Sequence, residues 1–595
     1  MPGTPTLRGE RDLTEPVVRS TRPAGATAGP SRRRLLAGVT MLLPVAGLLL
    51  VEAVLRLAGF GDSYPLFVPA PRSAAYLQVN PDVVRRFMVD EAETPNLWIR
   101  PVAFERVKAP ETVRIFVQGG STAEGYPYGY GASPAGMLQQ RLQRTFPERR
   151  VEVVTTAMSA VNSYTLLDFS REILEQEPDA VVIYAGHNEY LGLLGVGSSF
   201  SAGRRRPLVL AFLALDDLRL LQLGRRGLAA ASTALGAEPE PRDRRSLMQR
   251  VVAEDRIPYG SELYRRGLVQ YRANLRALLR RYRDAGVPVF IGTLVSNEGD
   301  QPPFLSGHGP EVDEPAWRGH FITGRRLLEL HDAGAALAEL DRALAIDDLH
   351  AEAHFWRGRA LEALERHGEA LAAYVAARDR DELRFRAPEE IDRILREVAA
   401  EQGAHVVEVR EAFARAAPDG IVGRELMLEH LHPNLEGYFT MADAFYQALH
   451  ERRAFGSWER PVPRAQARRE MPVTEVDRLY GEYRIAGLTA GWPFAAGDER
   501  FRLPEPADPV ERIAQSYYQG RSQWPDAMRD LLDHYRSRGD AAEASRVAVL
   551  LAEAFPYLEE DQRTAADLLH QAGRPDAVVY GRRVQERRAS IGSGD

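Results

Sequence analysis

A serine, a histidine, a carboxylate and an asparagine stand in this 595-residue chain at places where they can act together. Ser121 closes the run Ile115-Phe116-Val117-Gln118-Gly119-Gly120-Ser121, Asn188 stands in Gly186-His187-Asn188-Glu189, and Glu429 and His432 share the stretch Glu429-His430-Leu431-His432-Pro433-Asn434. Such a set supplies a hydroxyl nucleophile, an imidazole base, a carboxylate to orient the base, and an amide to hold a developing oxyanion. Taken singly, each residue has a plainer reading: Ser121 as a helix N-cap, Asn188 as a turn residue, His432 as a satisfied surface histidine, Glu429 as a solvated charge. What unites them is their place relative to predicted strands.

The elements that must position them alternate. Arg114 to Gly119 reads as a buried strand that turns sharply at two glycines. Pro134–Phe146 is helical in pattern, Val151–Thr155 a strand, Leu166–Gln176 a helix and Ala180–Tyr184 a strand. After an interruption come a helix over Leu263–Ala285, a strand over Val287–Thr293, a helix over Glu389–Gln402 and a strand over Val406–Val409. Five apolar strands alternating with helices predict an α/β fold, a doubly wound, flavodoxin-like parallel sheet. The handedness of the crossovers gathers the C-terminal strand ends on one edge. Ser121, the segment Met158-Ser159-Ala160-Val161-Asn162, and Asn188 all follow such ends.

The ordered blocks resemble those of the SGNH/GDSL hydrolases. Gly119-Gly120-Ser121 matches the first block, Gly186-His187-Asn188 the third, and Glu429-x-x-His432 the last, with Glu in place of the usual Asp. The resemblance spans roughly residues 111 to 450. It implies Ser121 as nucleophile, His432 as general base and Glu429 as its orienting carboxylate. It also implies an oxyanion hole made by the backbone amides of Ser121 and Ala160 with the Asn188 side chain. The glycine of the second block falls on Ala160, which can donate its N–H if its backbone adopts the required conformation. Glu429 is a methylene longer than the family's Asp and is the least constrained member. The reading includes no metal and no cofactor.

The chain around this core sorts by composition. Apolar residues make up 45% and charged residues 27%, as in ordinary globular protein. The net charge of −7 with scattered arginines argues against a nucleic-acid surface. The absence of cysteine removes disulfides, thiolate metal sites and cysteine nucleophiles. Residues 1–30 read as a disordered cytoplasmic tail. Residues 31–58 read as a transmembrane anchor: Arg32-Arg33-Arg34 precedes the apolar run Leu35–Val51, whose helix of about 26 Å just matches a bilayer core. The arginines place the N-terminus in the cytoplasm and the remainder outside the membrane. A cleaved signal lacks its cleavage site, and a twin-arginine signal would change the route but not the destination.

Residues 59–110 read as a Pro-rich stalk or collar, 111–306 and 385–453 as the two parts of the hydrolase. The apolar stretch Pro207–Leu215 is expected to cap the site, with Ser296-Asn297 and Pro302-Pro303-Phe304 lining the cleft. In the insertion 307–384, the segments beginning at Gly334 and Gly368 recur with a 34-residue separation, and Ala343 matches Ala377. That period resembles tetratricopeptide repeats. Residues 454–507 read as an irregular linker and 508–595 as a further helical region that could complete the repeat array. The function expected is a membrane-anchored esterase acting on acyl esters, including O-acetyl esters, of carbohydrate or lipid. The alternatives are an O-acetyltransferase on an envelope or exported polysaccharide, and a retired scaffold that binds protein through its helical repeats.

Overall fold

The computed structural model describes residues 30–88, 102–199, 205–234, 248–249, 252–495 and 501–592. The expected tail, but for residue 30, lies outside the described residues, as do 89–101 of the expected collar. In chain order, helix α1 (Pro30–Leu57) precedes three short strands, β1 (Phe67–Ala70), β2 (Ser73–Val79) and β3 (Ala103–Glu105). Then follow β4 (Thr112–Gly119), α2 (Ser121–Glu124), α3 (Pro134–Thr145), β5 (Arg150–Thr155), α4 (Ser163–Leu174) and β6 (Ala180–Tyr184). The interruption holds α5 (Arg206–Leu215) and α6 (Arg219–Ala234), after which α7 (Glu262–Asp284) leads into β7 (Val289–Gly292).

Two compact units emerge: residues 1–62 with 217–230, and 63–216 with 231–595. In the first, the Glu52 carboxylate accepts hydrogen bonds from the Arg219 and Leu220 amides at 3.1 and 2.9 Å. A negative charge thereby sits on the N-terminal turn of α6, where the free N–H groups favour it. Leu42, Leu43, Leu48, Leu49 and Leu50 of α1 are exposed. Among the described residues no helix is long and apolar enough to cross a membrane. The run expected to do so lies within α1, and Glu52 and Arg56 end its apolar stretch.

The second unit is built on a parallel five-stranded sheet. The insertion holds α8 (Glu314–Glu329), α9 (Ala333–Ile346), α10 (Ala351–Ala363) and α11 (His367–Arg380), after which come α12 (Glu389–Gln402), β8 (His405–Val407), α13 (Val409–Ala416) and α14 (Leu435–Glu451). The strand order is β5-β4-β6-β7-β8, the flavodoxin-like arrangement, whose connections reverse direction between β4 and β6. Every residue of β4 and β6 is buried, which explains their near-continuous apolar sequence. Helix starts are set by side chains at their N-caps: Ser133 Oγ accepts from Gly136 N–H at 3.0 Å, and Asn162 Oδ1 from Tyr164 N–H at 3.1 Å.

The expected collar is more regular than its prolines suggest. β1, β2 and β3 form an antiparallel sheet, and Leu66, Val79, Phe87 and Phe104 join the main core. The buried Arg114 guanidinium ties the two sheets, pairing with Glu152 at 2.7 Å and donating to the Glu105 and Gln176 carbonyls. In the insertion α8 packs against α9 and α10 against α11, and α9 and α11 begin 34 residues apart. Gly324 on α8 lies where a Cβ would stand 2.7 Å from Leu340, and Gly358 on α10 where one would stand 2.6 Å from Tyr374.

The remaining helices are α15 (Arg464–Arg469), α16 (Glu475–Thr489), α17 (Pro509–Tyr518), α18 (Trp524–Ser537), α19 (Ala541–Ala554), α20 (Glu559–Gln571) and α21 (Ala577–Gly592). The stretch read as an irregular linker thus contains two of them, and α16 starts with a reciprocal Thr474–Asp477 capping box. The helices from α16 onward share one hydrophobic cluster with Tyr130 of the α/β core. The inserted helices form another around Trp317, Leu340 and Tyr374, which takes in Ile421 of the hydrolase part. Of the two arrangements open to the insertion, packing on the hydrolase or completing an array with the C-terminal helices, the first is seen: each helical region packs on the α/β core through its own apolar face.

Candidate active site

Ser121 is the first residue of α2, just past the glycines that end β4. At Gly120 a Cβ would stand 2.7 Å from Asn188 Nδ2. Only a residue without a side chain lets the asparagine amide come so close to the backbone that precedes the serine. Asn188 itself lies on a short 3-10 turn, His187–Glu189, after β6. Serine and asparagine therefore come from the two strands that flank the reversal in sheet order, where open α/β sheets bind their ligands.

The histidine and carboxylate arrive from the loop before α14. Ser121 Oγ lies 2.7 Å from His432 Nε2. His432 Nδ1 is bonded to Glu429 Oε1, and the His432 backbone N–H donates to the same oxygen at 2.9 Å. Glu429 Oε2 accepts from the His430 backbone N–H at 2.7 Å and is bonded to His430 Nδ1. The loop is closed by a bridge between Met427 and Pro433 and by the Leu428 N–H, which donates to the His432 carbonyl at 2.8 Å. The extra methylene of Glu429 is thus taken up by the loop, and the carboxylate reaches both imidazoles.

Burial pushes the His432 imidazole down to about 3, reinforced by the Arg484 guanidinium. Its resting state is neutral, with Nδ1 facing the carboxylate and Nε2 facing the serine hydroxyl. His430 is pushed well below the ordinary histidine range by burial and by His432. Burial, with Arg378 next, lowers His187 to about 3. Behind Asn188, the Glu189 carboxyl is raised by burial to about 7 and accepts from Ser163 Oγ at 2.8 Å and Gln270 Nε2 at 3.0 Å. These bonds hold the asparagine turn against α4 and α7.

Ala160 has φ 61°, the left-handed conformation that glycine adopts without a Cβ clash. Such a conformation costs an alanine roughly 1–2 kcal/mol. This position therefore keeps a glycine-like backbone at the expense of local strain. The Ala160 carbonyl is held by the Leu193 N–H at 2.7 Å.

Ser121, Ala160, Asn188 and His432 all line one cavity of about 420 Å³. Its far wall was not foreseen: Arg484, Gly487 and Leu488 of α16 and Tyr518 of α17 close it. The expected cap, α5, is not part of this lining; its Val209 is buried in the main core. Ser296 and Asn297 are buried outside the cavity, and Phe304 stands behind the triad with its ring 5.3 Å from that of His430. A larger cavity, about 490 Å³, lies beneath the small antiparallel sheet and holds none of the catalytic candidates.

The sequence model of the GDSL-like lipase/acylhydrolase family matches residues 117–438, just over half of the chain. The chain belongs to the GDSL-like lipase/acylhydrolase family. It is a serine ester hydrolase. Among curated proteins none matches this GDSL-like chain. Among solved structures, the acetylxylan esterase Axe2 from Geobacillus stearothermophilus aligns at 14% identity over 59% of this chain and 97% of its own, with a TM-score of 0.28. The acetyl xylan esterase AlAXEase aligns at 11% identity over 57% of this chain and all of its own, with a TM-score of 0.27. Likeness at that level carries no statement about substrate.

Three contributors to this GDSL-family site had no role assigned in the sequence. His430, next to Glu429, was visible but indistinguishable from a buried structural histidine. The Tyr126 ring lies tilted against His432, with centroids 4.6 Å apart. Arg484 lies in turn 4.2 Å from the Tyr126 ring centroid. No local pattern marks Arg484, because its partners come from a distant part of the chain.

Proposed function

We propose that the protein hydrolyses acyl esters, with short acyl groups such as acetyl, through an acyl-enzyme on Ser121. The hydrogen-bonded series Ser121–His432–Glu429 is the observation that carries this reading. Ser121 Oγ attacks the ester carbonyl as its proton passes to His432 Nε2, and Glu429 stabilises the imidazolium that results. The oxyanion is held by the Ser121 and Ala160 amides and Asn188 Nδ2, each such donor being worth about 3 kcal/mol in the transition state. The tetrahedral adduct collapses as the C–O bond to the alcohol breaks and His432 protonates the leaving oxygen. Water then attacks the acyl carbon as its proton passes to His432, and the adduct collapses as the bond to Ser121 Oγ breaks and His432 returns the proton to that oxygen, releasing the acid. A retired scaffold has no need of this complete bonded series.

The localisation proposed is a single-pass cell-membrane anchor through α1, with the N-terminus cytoplasmic and the hydrolase outside. Its support is the exposed leucines of α1 behind three arginines. The helix pairs α8–α11 are proposed as a tetratricopeptide-like module, supported by the glycine contacts that recur at 34 residues. The test of the enzymatic reading is active-site labelling with a fluorophosphonate. Native protein should label and Ser121→Ala should not, with thermal unfolding shifted by no more than a degree or two. Equal labelling of both proteins would exclude Ser121 as the nucleophile.

A further inference from the structure

The catalytic cavity contains a cation that exchanges no proton and forms no bond in the hydrolytic steps, though it helps keep His432 neutral. Arg484 projects from α16 into the same cavity as Ser121 and His432. It is half-buried, and among the described residues it forms no ion pair within bonding distance of a carboxylate. The guanidinium lies over two rings: its carbon is 4.2 Å from the Tyr126 ring centroid and 5.5 Å from that of Tyr480. Stacking on aromatic faces fixes the plane of the group and leaves its edge donors free. The hydrogen bond found on that edge is long, from Nη1 to the Pro127 carbonyl at 3.4 Å. The surrounding wall is apolar, formed by Leu191, Met248, Phe385, Leu431 and Leu488.

A charged group held in place by two rings, beside an apolar wall and without a protein anion paired to it, is arranged to meet an anion that comes from outside. The Glu124 carboxylate also lines the cavity and accepts from Ser159 Oγ at 2.9 Å; it acts on Arg484 through its charge, without an ion pair at bonding distance. The planar fork of an arginine fits a carboxylate through two parallel hydrogen bonds. We propose that Arg484 selects esters that carry a carboxylate near the scissile bond, so that the substrate is an acylated acidic compound rather than a neutral one. The inference rests on the Ser121 hydrolase reading and deepens it by naming the substrate class. It gives the C-terminal helices a direct part in recognition, since the selecting residue lies outside the segment matched by the family model.

The test compares kcat/KM for three esters on the full chain: neutral 4-nitrophenyl acetate, 4-acetoxybenzoate with its carboxylate on the alcohol side, and mono-4-nitrophenyl succinate with its carboxylate on the acyl side. At least one anionic ester should be favoured over the neutral one, relative to their rates of hydroxide hydrolysis, by ten-fold or more at low ionic strength. The preference should shrink as salt is raised. In Arg484→Met the ratio of anionic to neutral kcat/KM should fall about ten-fold, and Arg484→Lys should restore part of it. The native measurement stands even if a variant folds poorly. Native protein that hydrolyses the neutral ester with no anionic preference overturns this proposal and leaves the hydrolase reading intact. Failure to hydrolyse any of the three, with no fluorophosphonate labelling, overturns both.

Discussion

Glu429 holds two imidazoles with two oxygens, and this makes its chemical identity more demanding than its length suggests. In Glu429→Gln one of the two imidazoles faces an NH2 instead of an oxygen. Where that is His432, Nδ1 must accept, Nε2 carries the proton, and the serine hydroxyl loses its base. The variant is expected to lose roughly 10²- to 10⁴-fold in kcat with KM little changed, as measured by steady-state ester hydrolysis. A loss below ten-fold would show that the carboxylate does little to fix the tautomer. The pH profile follows from burial of the base. His432 must be neutral to accept the Ser121 proton, and its folded pKa is depressed to about 3. It therefore stays neutral as the pH falls through the ordinary histidine value of about 6.5. On this account kcat/KM stays level from pH 8 down through 6.5 and declines only below; a decline centred at or above 6.5 would contradict the neutral resting state.

The helices differ in how tightly their glycines are enclosed, and this can be read by substitution. A Cβ at Gly358 would lie 2.6 Å from the Tyr374 ring, whereas at Gly368, in the first turn of α11, nothing stands within 4 Å. Gly358→Ala should destabilise by roughly 1–3 kcal/mol through overpacking, while Gly368→Ala should stabilise by about 0.5–1 kcal/mol through helix propensity. Chemical denaturation of each variant measures both signs. The same contrast explains what the sequence made legible. The five strands of the parallel sheet announced themselves as apolar runs, and Ser121, Glu429 and His432 stood out because they lie just past a strand or in the loop that leads into a helix. The collar did not, because β1 and β3 are four and three residues long and alternate too briefly to show a period. The roof of the cavity was misplaced on α5 because apolar composition alone does not say which core a helix faces. Val209 turned out to face the main core, and α16, whose cavity-lining face includes an arginine and a glycine, looked like linker.

At the scale of the molecule, the proposed anchor predicts that full-length protein sediments with membranes and is released by detergent but not by high salt. Recovery in the soluble fraction after lysis would rule it out. The enclosure of Ser121 by α16 and α17 has a consequence for the order in which the protein comes into being. A chain is made from its N-terminus, and domains fold as their segments emerge. The serine is therefore synthesised early, while its base at His432 comes far later and Arg484 and Tyr518 later still. Until those segments have left the ribosome, Ser121 has neither an imidazole to activate it nor a wall to complete its cavity. The nascent chain thus carries its nucleophile in a dormant form until α16 and α17 have emerged, and hydrolytic competence is acquired only after they have.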